Sequence, residues 1–202
     1  MSGESLSRET LAEAGLGPVF RPRDVDALGL SYHDLQQLVD RGAVERVARG
    51  LYRLSDAPVT ALYDVALICA RVPRAILCLY TALRIHGIGT SAPRHVWIAI
   101  PHRARTPRLD DLPARVVRFS GAALRHGIVD TDVEGVPTRI TTPARTVVDC
   151  FRLHRHVDRE TAVEALREAL FDRKVTAAEI REAAEALGVL GVVDPYIRAT
   201  LA

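Results

Sequence analysis

Residues 30–54 constrain the fold of this chain more than any other stretch. The first half, LSYHDLQQLVDRG, has the pattern of a short amphipathic helix. Ser31 suits the N-cap, Asp34 three residues later completes a capping box, and Gly42 suits the end of the helix. Three apolar residues share the face that we expect to be buried: Leu35, Leu38 and Val39.

The second half of this stretch, RGAVERVARGLYRL, predicts a hairpin. Two short strands, around 44–47 and 51–54, would turn at Gly50, which accepts the positive φ that such turns need. Strict alternation of apolar and polar residues fails across the pair, so we expect a bulge or an irregular turn. Its arginines are Arg41, Arg46, Arg49 and Arg53. Such a hairpin is either an ordinary solvated edge or a wing that lies along a phosphate backbone.

A further helix is predicted before residue 30. In RPRDVDALGL, Pro22 suits a first helical turn and Gly29 suits the end of the helix, while SRETLAEAG predicts another short helix that ends near Gly15. Two helices joined by the tight LGLS turn match the helix-turn-helix plan, whose second helix enters the major groove. The residues that we expect to approach DNA are the cap and the outward side chains of that second helix, which are concentrated from its start: Ser31, Tyr32, His33, Gln36, Gln37 and Arg41.

The side chains of this helix and hairpin suit different parts of DNA. The amides of Gln36 and Gln37 match base edges, adenine especially. The arginines Arg46, Arg49 and Arg53 would reach phosphates or a minor groove, contacts that position a protein without reading sequence.

The rest of the chain predicts a larger domain of mixed composition. Helices are expected over DAPVTALYDVALICARVP and AILCLYTALRIHGI, strands over 94–101 and 114–120, and a hairpin with Gly135 in its turn. Helices follow in TPARTVVDCFRLH, where Thr142 is the cap, and in VDRETAVEALREALF and VTAAEIREAAEALGV, the last with a Thr176/Glu179 capping box. The expected fold class is α+β: a winged helix-turn-helix domain, 1–55, and a mixed α/β domain with a small central sheet and C-terminal helices, 56–202.

Charge is distributed unevenly along the chain. Residues 71–125 contain ten arginines and two acidic residues, whereas residues 1–55 contain seven arginines and eight acidic residues. The basic block favours an anionic partner, although the blocks could also neutralise one another within the fold. Its proposed anion or partner surface comprises Arg94, Arg103, Arg105 and Arg108.

The pattern gives no convincing active site and implies no cofactor or metal. His154 and His156 point to different faces of a helix end, HGIGTS lacks the lysine of a P-loop, and FDRK falls in a helical pattern. The three cysteines form no C-x-x-C pair, and no signal peptide or long apolar run is present, so we expect a cytoplasmic protein without a membrane segment.

The chain resembles the AbiEi family, antitoxins of the type IV toxin–antitoxin class. The resemblance is carried by VFRPRDVDALGLSYHDLQQLVDRGAVERVARGLYRL, by LYTALRIHGI followed by VWIAIP, and by GVPTRITTPARTVVDC. It implies a winged helix that binds repeats in its own promoter, and a C-terminal domain that counters a nucleotidyltransferase toxin encoded beside it. Relatives often carry a longer C-terminal extension, which is not present in these 202 residues.

The resemblance indicates that the arginine hairpin is a wing and not an ordinary solvated edge. It leads to one expected function and two alternatives. The expected function is an antitoxin that represses its own promoter, with double-stranded DNA and the toxin as partners and dimerisation on DNA by analogy. The first alternative is an enzyme that inactivates the toxin, for instance by phosphorylating it. The second is a stand-alone regulator without a toxin.

Overall fold

The computed structural model describes residues 16–48, 50–57, 60–90 and 93–202. The chain forms two compact units. The first contains the residues up to Pro73 together with Asp132–Thr138, and the second contains Arg74–Thr131 and Arg139–Ala202. The boundary predicted after residue 55 divides a DNA-binding domain from an antitoxin domain. This functional division stays a prediction. The helix expected to end near Gly15 lies outside the described residues.

The described part of the first unit contains a small antiparallel sheet and three helices. In chain order these are β1 (Val19–Phe20), α1 (Pro22–Asp26), α2 (Tyr32–Asp40), β2 (Val44–Ala48), β3 (Leu51–Leu54) and α3 (Tyr63–Arg71). The strand order is β1-β3-β2, so β3 lies between its two partners. The two-residue strand β1 was not predicted, because two residues carry no periodicity.

Local sequence accounts for the boundaries of these elements. Gly29 and Gly42 have φ angles of 76° and 72°, a region that favours glycine, and each follows the end of a helix. The pairing register of β2 and β3 shifts between Arg46 and Ala48, which confirms the predicted irregularity in the hairpin. Gly50, with φ of 68°, lies in the turn.

One apolar core holds the first unit together. Leu35 and Leu38 on α2 are each 1% exposed, which confirms the predicted buried face of this helix. Their partners come from α1 and from all three strands, and the cluster also includes residues at its edge: Leu16, Phe20, Val25, Val44, Tyr52, Leu54 and Ala57. Because the buried face of α2 is fixed in this way, its opposite face is directed outward.

The remaining elements build a second sheet and a set of helices. They are β4 (Ile76–Leu77), α4 (Leu79–Ile85), β5 (Val96–Pro101), β6 (Ala114–Phe119), β7 (Ile128–Val133), β8 (Val136–Thr141), α5 (Pro143–Arg152), α6 (Arg159–Phe171), α7 (Ala177–Ala186) and α8 (Leu190–Leu201). A short 3-10 helix, Gly121–Leu124, follows β6. The sheet has the mixed order β6-β5-β4-β8-β7, with β4 antiparallel to β5 and parallel to β8.

The helix predicted over AILCLYTALRIHGI is wrong in its first part. Ile76 and Leu77 form β4, a strand between β5 and β8, and the helix begins only at Leu79. A continuous apolar run suits a strand with partners on both sides as well as a buried helix, so the pattern does not separate the two.

Helix α8 was not predicted. Pro195 lies inside it, a residue that argues against a helix interior, yet the helix forms and buries Val193 and Ile197. The strands β5 and β6, the hairpin of β7 and β8, and the helices α5, α6 and α7 appear close to their predicted positions. The predicted mixed fold class is confirmed.

Candidate nucleic-acid interface

The recognition-helix candidate, α2, is anchored at its N-terminus by a capping box. The Asp34 backbone N–H donates to Ser31 Oγ at 3.2 Å, and the Ser31 N–H donates to Asp34 Oδ2 at 2.8 Å. Hydrogen bonds that the Asp34 carboxylate accepts, first from the Ser31 hydroxyl and then from the Ser31 backbone N–H, lower the pKa of Asp34. The Ser31 hydroxyl donates to the same carboxylate at 2.7 Å, so this predicted site residue already serves the cap.

The outward face of α2 carries two hydrogen-bonded pairs. The side-chain amide nitrogen of Gln37 lies 2.9 Å from His33 Nε2, and that of Gln36 donates to Asp40 Oδ1 at 3.3 Å. The two residues of each pair are spaced i, i+4, so they lie one helical turn apart on the same side of the helix. The two predicted glutamines thus have different surroundings: Gln37 is next to an imidazole, and Gln36 is next to a carboxylate.

An aromatic side chain links the start of α2 to the hairpin. Tyr32 is 59% exposed, whereas Tyr52 on β3 is 3% exposed. The pKa of Tyr52 is raised first by burial and then by its hydrogen bond with Tyr32, while Arg46 acts in the opposite direction. Tyr32, Tyr52 and Arg46 therefore lie together where the helix meets the wing, and a phosphate could approach the exposed members.

The predicted wing arginines have unlike environments. Arg46 on β2 is exposed, and so is Arg41 at the C-cap of α2. Arg49 lies outside the described residues. Arg53 is only 8% exposed, so its guanidinium is withdrawn from solvent.

Arg53 serves the packing of the first unit. Its Nη1 donates to Glu45 Oε1 at 2.6 Å, its Nη2 donates to the carbonyl of Ala57, and its guanidinium carbon lies 5.3 Å from the centre of the Tyr63 ring. A side chain held by a carboxylate, a carbonyl and a ring on three sides cannot reach a phosphate without breaking these contacts. The interface that we propose therefore omits Arg53.

In the second unit, the loop between β5 and β6 displays the predicted basic surface. Arg103, Arg105 and Arg108 are exposed there, and so is Arg94 just before β5. Arg118 on β6, which sequence analysis did not single out, holds the loop from within its own unit. Its Nη1 donates to the carbonyls of His102 at 2.6 Å and Ala104 at 2.9 Å. Its Nη2 donates to Thr106 Oγ1 at 2.8 Å. Five donors in a planar fork allow one arginine to fix several loop carbonyls at once.

The described residues offer little on which a reaction could rest. Among the described residues, no group of three or more histidine, cysteine, aspartate or glutamate side chains could hold a metal ion. The three thiols are buried, and burial raises the pKa of Cys69 to about 11. A cavity of about 300 Å³ in the first unit has a mostly apolar lining that includes Phe20, Leu28 and Cys69. No helix in the described part of the chain is long and apolar enough to cross a membrane.

A capped helix with a polar outward face, followed by an antiparallel wing, defines the first unit as a winged helix-turn-helix domain of the transcriptional-regulator class. Residues 8–55 match the family model described as transcriptional regulator, AbiEi antitoxin. The resemblance to the AbiEi family is therefore confirmed for this segment.

A solved structure supports the same fold over most of the chain. The crystal structure of the RV2827C protein from Mycobacterium tuberculosis is similar with a TM-score of 0.56 and 15% sequence identity. The match covers 91% of this chain and 74% of that one. At this identity the likeness concerns the fold alone. No curated protein matches the chain.

Proposed function

We propose that this protein is an antitoxin that binds the promoter DNA of its own gene as a repressor and counteracts a nucleotidyltransferase toxin encoded beside it. The regulator half is supported by the family match of residues 8–55 and by the outward face of α2. The antitoxin half is supported by the family match. The nature of the toxin and of the operator goes beyond the match and is part of the proposal.

The observation that carries the DNA-binding half is the polar face of α2 opposite its buried leucines. Leu35 and Leu38 fix the rotation of the helix, and this leaves His33, Gln36 and Gln37 directed away from the core. Side-chain amides at the start of a second helix suit base edges in the major groove. Arg41 and Arg46, both exposed, would bind phosphates on either side of that helix. Arg49 remains a predicted phosphate contact.

The basic loop of the second unit would bind an anionic surface as well. Arg118 holds its backbone, so Arg103, Arg105 and Arg108 need little ordering before they contact a partner. We propose that this partner is either the phosphate backbone of the promoter DNA or an acidic face of the toxin. The experiments below separate the two.

The first experiment is a binding titration of the full chain against duplex DNA from upstream of its own gene, with a scrambled duplex as the control. Specific binding should weaken steeply as salt rises, because phosphate contacts release counterions. Gln37→Ala should lose preference for the operator. Arg46→Ala should weaken binding to both duplexes and reduce the salt slope by about 1.

Arg167→Ala is the matched arginine control. This exposed residue lies on α6 in a groove that it shares with Glu160, Glu164 and Glu168, where a phosphate would be repelled. Its loss should leave DNA binding unchanged. Equal binding of both duplexes by the wild-type chain, at every salt concentration, would contradict the repressor half of the proposal.

The second experiment tests toxin antagonism. Cells that express the neighbouring nucleotidyltransferase would receive the wild-type chain, Gln37→Ala, or the loop variant Arg103→Ala/Arg105→Ala/Arg108→Ala. Rescue of growth by wild type and by Gln37→Ala, but not by the loop variant, would assign the loop to the toxin. Rescue by all three, with weaker promoter binding by the loop variant, would assign it to DNA. Failure of the wild-type chain to rescue growth would contradict the antitoxin half.

The mass of the toxin after incubation with the antitoxin and nucleoside triphosphate gives an independent readout. Neutralisation through contact leaves that mass unchanged. Added mass equal to a phosphoryl group would favour the enzymatic alternative instead.

A further inference from the structure

His33 and Gln37 differ from the other outward residues of α2 because they are hydrogen-bonded to each other through two nitrogens. Gln37 Nε2 lies 2.9 Å from His33 Nε2. An amide nitrogen can only donate, so the imidazole nitrogen must accept.

This bond fixes what Gln37 offers to a ligand. One of its two amide N–H groups is used by His33, and the other N–H and the carbonyl Oε1 remain. A free glutamine can rotate its amide without cost, whereas a rotated Gln37 amide would turn Oε1 toward His33 Nε2 and would need the other imidazole tautomer to keep the hydrogen bond. The pair therefore presents one donor beside one acceptor in a defined order.

Adenine presents the complementary pair of groups in the major groove. Its N7 accepts a hydrogen bond and its N6 amino group donates one, whereas guanine offers two acceptors there. We infer that His33 is a positioning residue that holds the Gln37 amide in the orientation that selects adenine, so that the two residues act as one specificity element. This inference rests on the proposed DNA binding by α2 and adds the base class and the residue that sets it.

Gln36 provides the internal comparison. It lies on the same helix, but its amide nitrogen donates to the carboxylate of Asp40 at a longer distance, 3.3 Å. A carboxylate near the groove repels phosphates and can accept from cytosine, so this pair does not favour adenine. The structure thus distinguishes two adjacent glutamines that are equivalent in sequence.

The experiment begins with the full wild-type chain and a pool of duplexes that contain a random core. Bound duplexes are selected and sequenced, which gives the preferred site. Each adenine of that site is then replaced by 7-deazaadenine, which lacks the N7 acceptor and keeps the N6 amino group. Affinities are measured for wild type, His33→Ala, His33→Asn and Gln36→Ala, and circular dichroism checks that each variant is folded.

At one adenine, the 7-deaza replacement should weaken wild-type binding roughly tenfold, the range of a bidentate base contact. In His33→Ala the same replacement should matter less than about twofold, because an unoriented amide no longer selects adenine. His33→Asn should restore the effect, since an asparagine oxygen can accept from a glutamine one turn away. Gln36→Ala should keep the effect of the replacement at this adenine.

Several outcomes would overturn the inference. One is a His33→Ala variant that keeps the full 7-deaza effect at every adenine. Another is a folded His33→Ala variant that has lost all DNA binding, because a positioning residue should affect one base and spare the phosphate contacts. If the wild-type chain selects no site from the pool, the proposed function itself has failed, and this result is distinguishable from the other two.

Discussion

Arg145 and Asp149 on α5 form an ion pair in which neither side chain has any exposed surface, with 3.0 Å between Nε and Oδ2. The other oxygen of Asp149 accepts from Arg152 Nε at 2.8 Å. Arg145 also donates from Nη2 to the carbonyl of Ala123 at 3.0 Å and from Nη1 to that of His126. The pair thus ties α5 to the segment that follows β6. Arg145 and Asp149 of the TPARTVVD motif therefore have a structural role, and no catalytic role is needed to explain them.

Asp149→Ala should therefore be strongly destabilising. It leaves the Arg145 guanidinium buried without its counter-charge, and the loss of one partner from a buried pair typically costs about 3–5 kcal/mol. Urea denaturation followed by circular dichroism measures this loss as a lower midpoint at an unchanged slope. Arg152→Ala is the control and should cost less, because Arg152 is partly exposed. A change below about 1 kcal/mol in Asp149→Ala would show that this pair does not hold α5 in place.

Two arginines of the hairpin should separate stability from DNA binding. Arg53→Ala removes the bonds to Glu45 and Ala57 and should lower the free energy of unfolding by about 1–3 kcal/mol. Arg46→Ala removes an exposed side chain and should change stability by less than about 0.5 kcal/mol while it weakens DNA binding. Thermal melts and DNA titrations of both variants check this. If Arg53→Ala weakened DNA binding with little effect on stability, Arg53 would belong to the DNA interface after all.

Arg118→Ala should loosen the loop between β5 and β6. The variant loses the bonds to the carbonyls of His102 and Ala104, and the chain at Arg103 and Arg105 should then open more often. Limited trypsin digestion of the native protein should cut there several times faster in the variant. Arg115→Ala, on the same strand and also exposed, removes one trypsin site in the same way and should leave the rate unchanged. Equal rates in both variants would show that Arg118 does not restrain the loop.

The capping carboxylates should make stability dependent on acid pH. Hydrogen bonds from Ser31 lower the pKa of Asp34, and hydrogen bonds from Thr176 lower that of Glu179. A lowered pKa in the folded state means that the carboxylate form stabilises the fold. This contribution is complete above the unfolded pKa, about 4, and is lost as the pH falls through the folded one.

Glu179→Gln and Asp34→Asn should thus melt below wild type at neutral pH, and the difference should shrink as the pH falls below about 4. Thermal melts across this range measure it. Glu182→Gln, a change at an exposed carboxylate further along α7, serves as the control. If the melting temperatures of wild type and the capping variants differed by the same amount at all pH values, the charge of the carboxylate would not be what stabilises the caps.

Much of the local structure could be predicted because its causes lie within a few residues. The capping boxes at Ser31/Asp34 and Thr176/Glu179 are present, and the irregularity of the hairpin falls between Arg46 and Ala48. Each depends on side chains that reach backbone groups at most four residues away, or on a break in alternation that is visible in the letters themselves.

The candidate interface was predictable only in part. The outward face of α2 follows from helical periodicity, which places His33 and Gln37 opposite the buried leucines. The bond between them could have been anticipated from their i, i+4 spacing. The burial of Arg53 could not, because it depends on Ala57 and Tyr63, and no local pattern shows that they surround it.

The sequence by itself determined the order of the helices and the hairpin, the caps that delimit them and the apolar faces that they bury, since all of these are short-range effects. Tertiary structure alone decided that Ile76 and Leu77 are a strand, because their hydrogen-bond partners, near residues 98 and 139, are distant in sequence. It also decided which arginines remain in solvent. A guanidinium is withdrawn where the fold brings a carboxylate, a carbonyl and a ring around it together, as it does at Arg53 and Arg145.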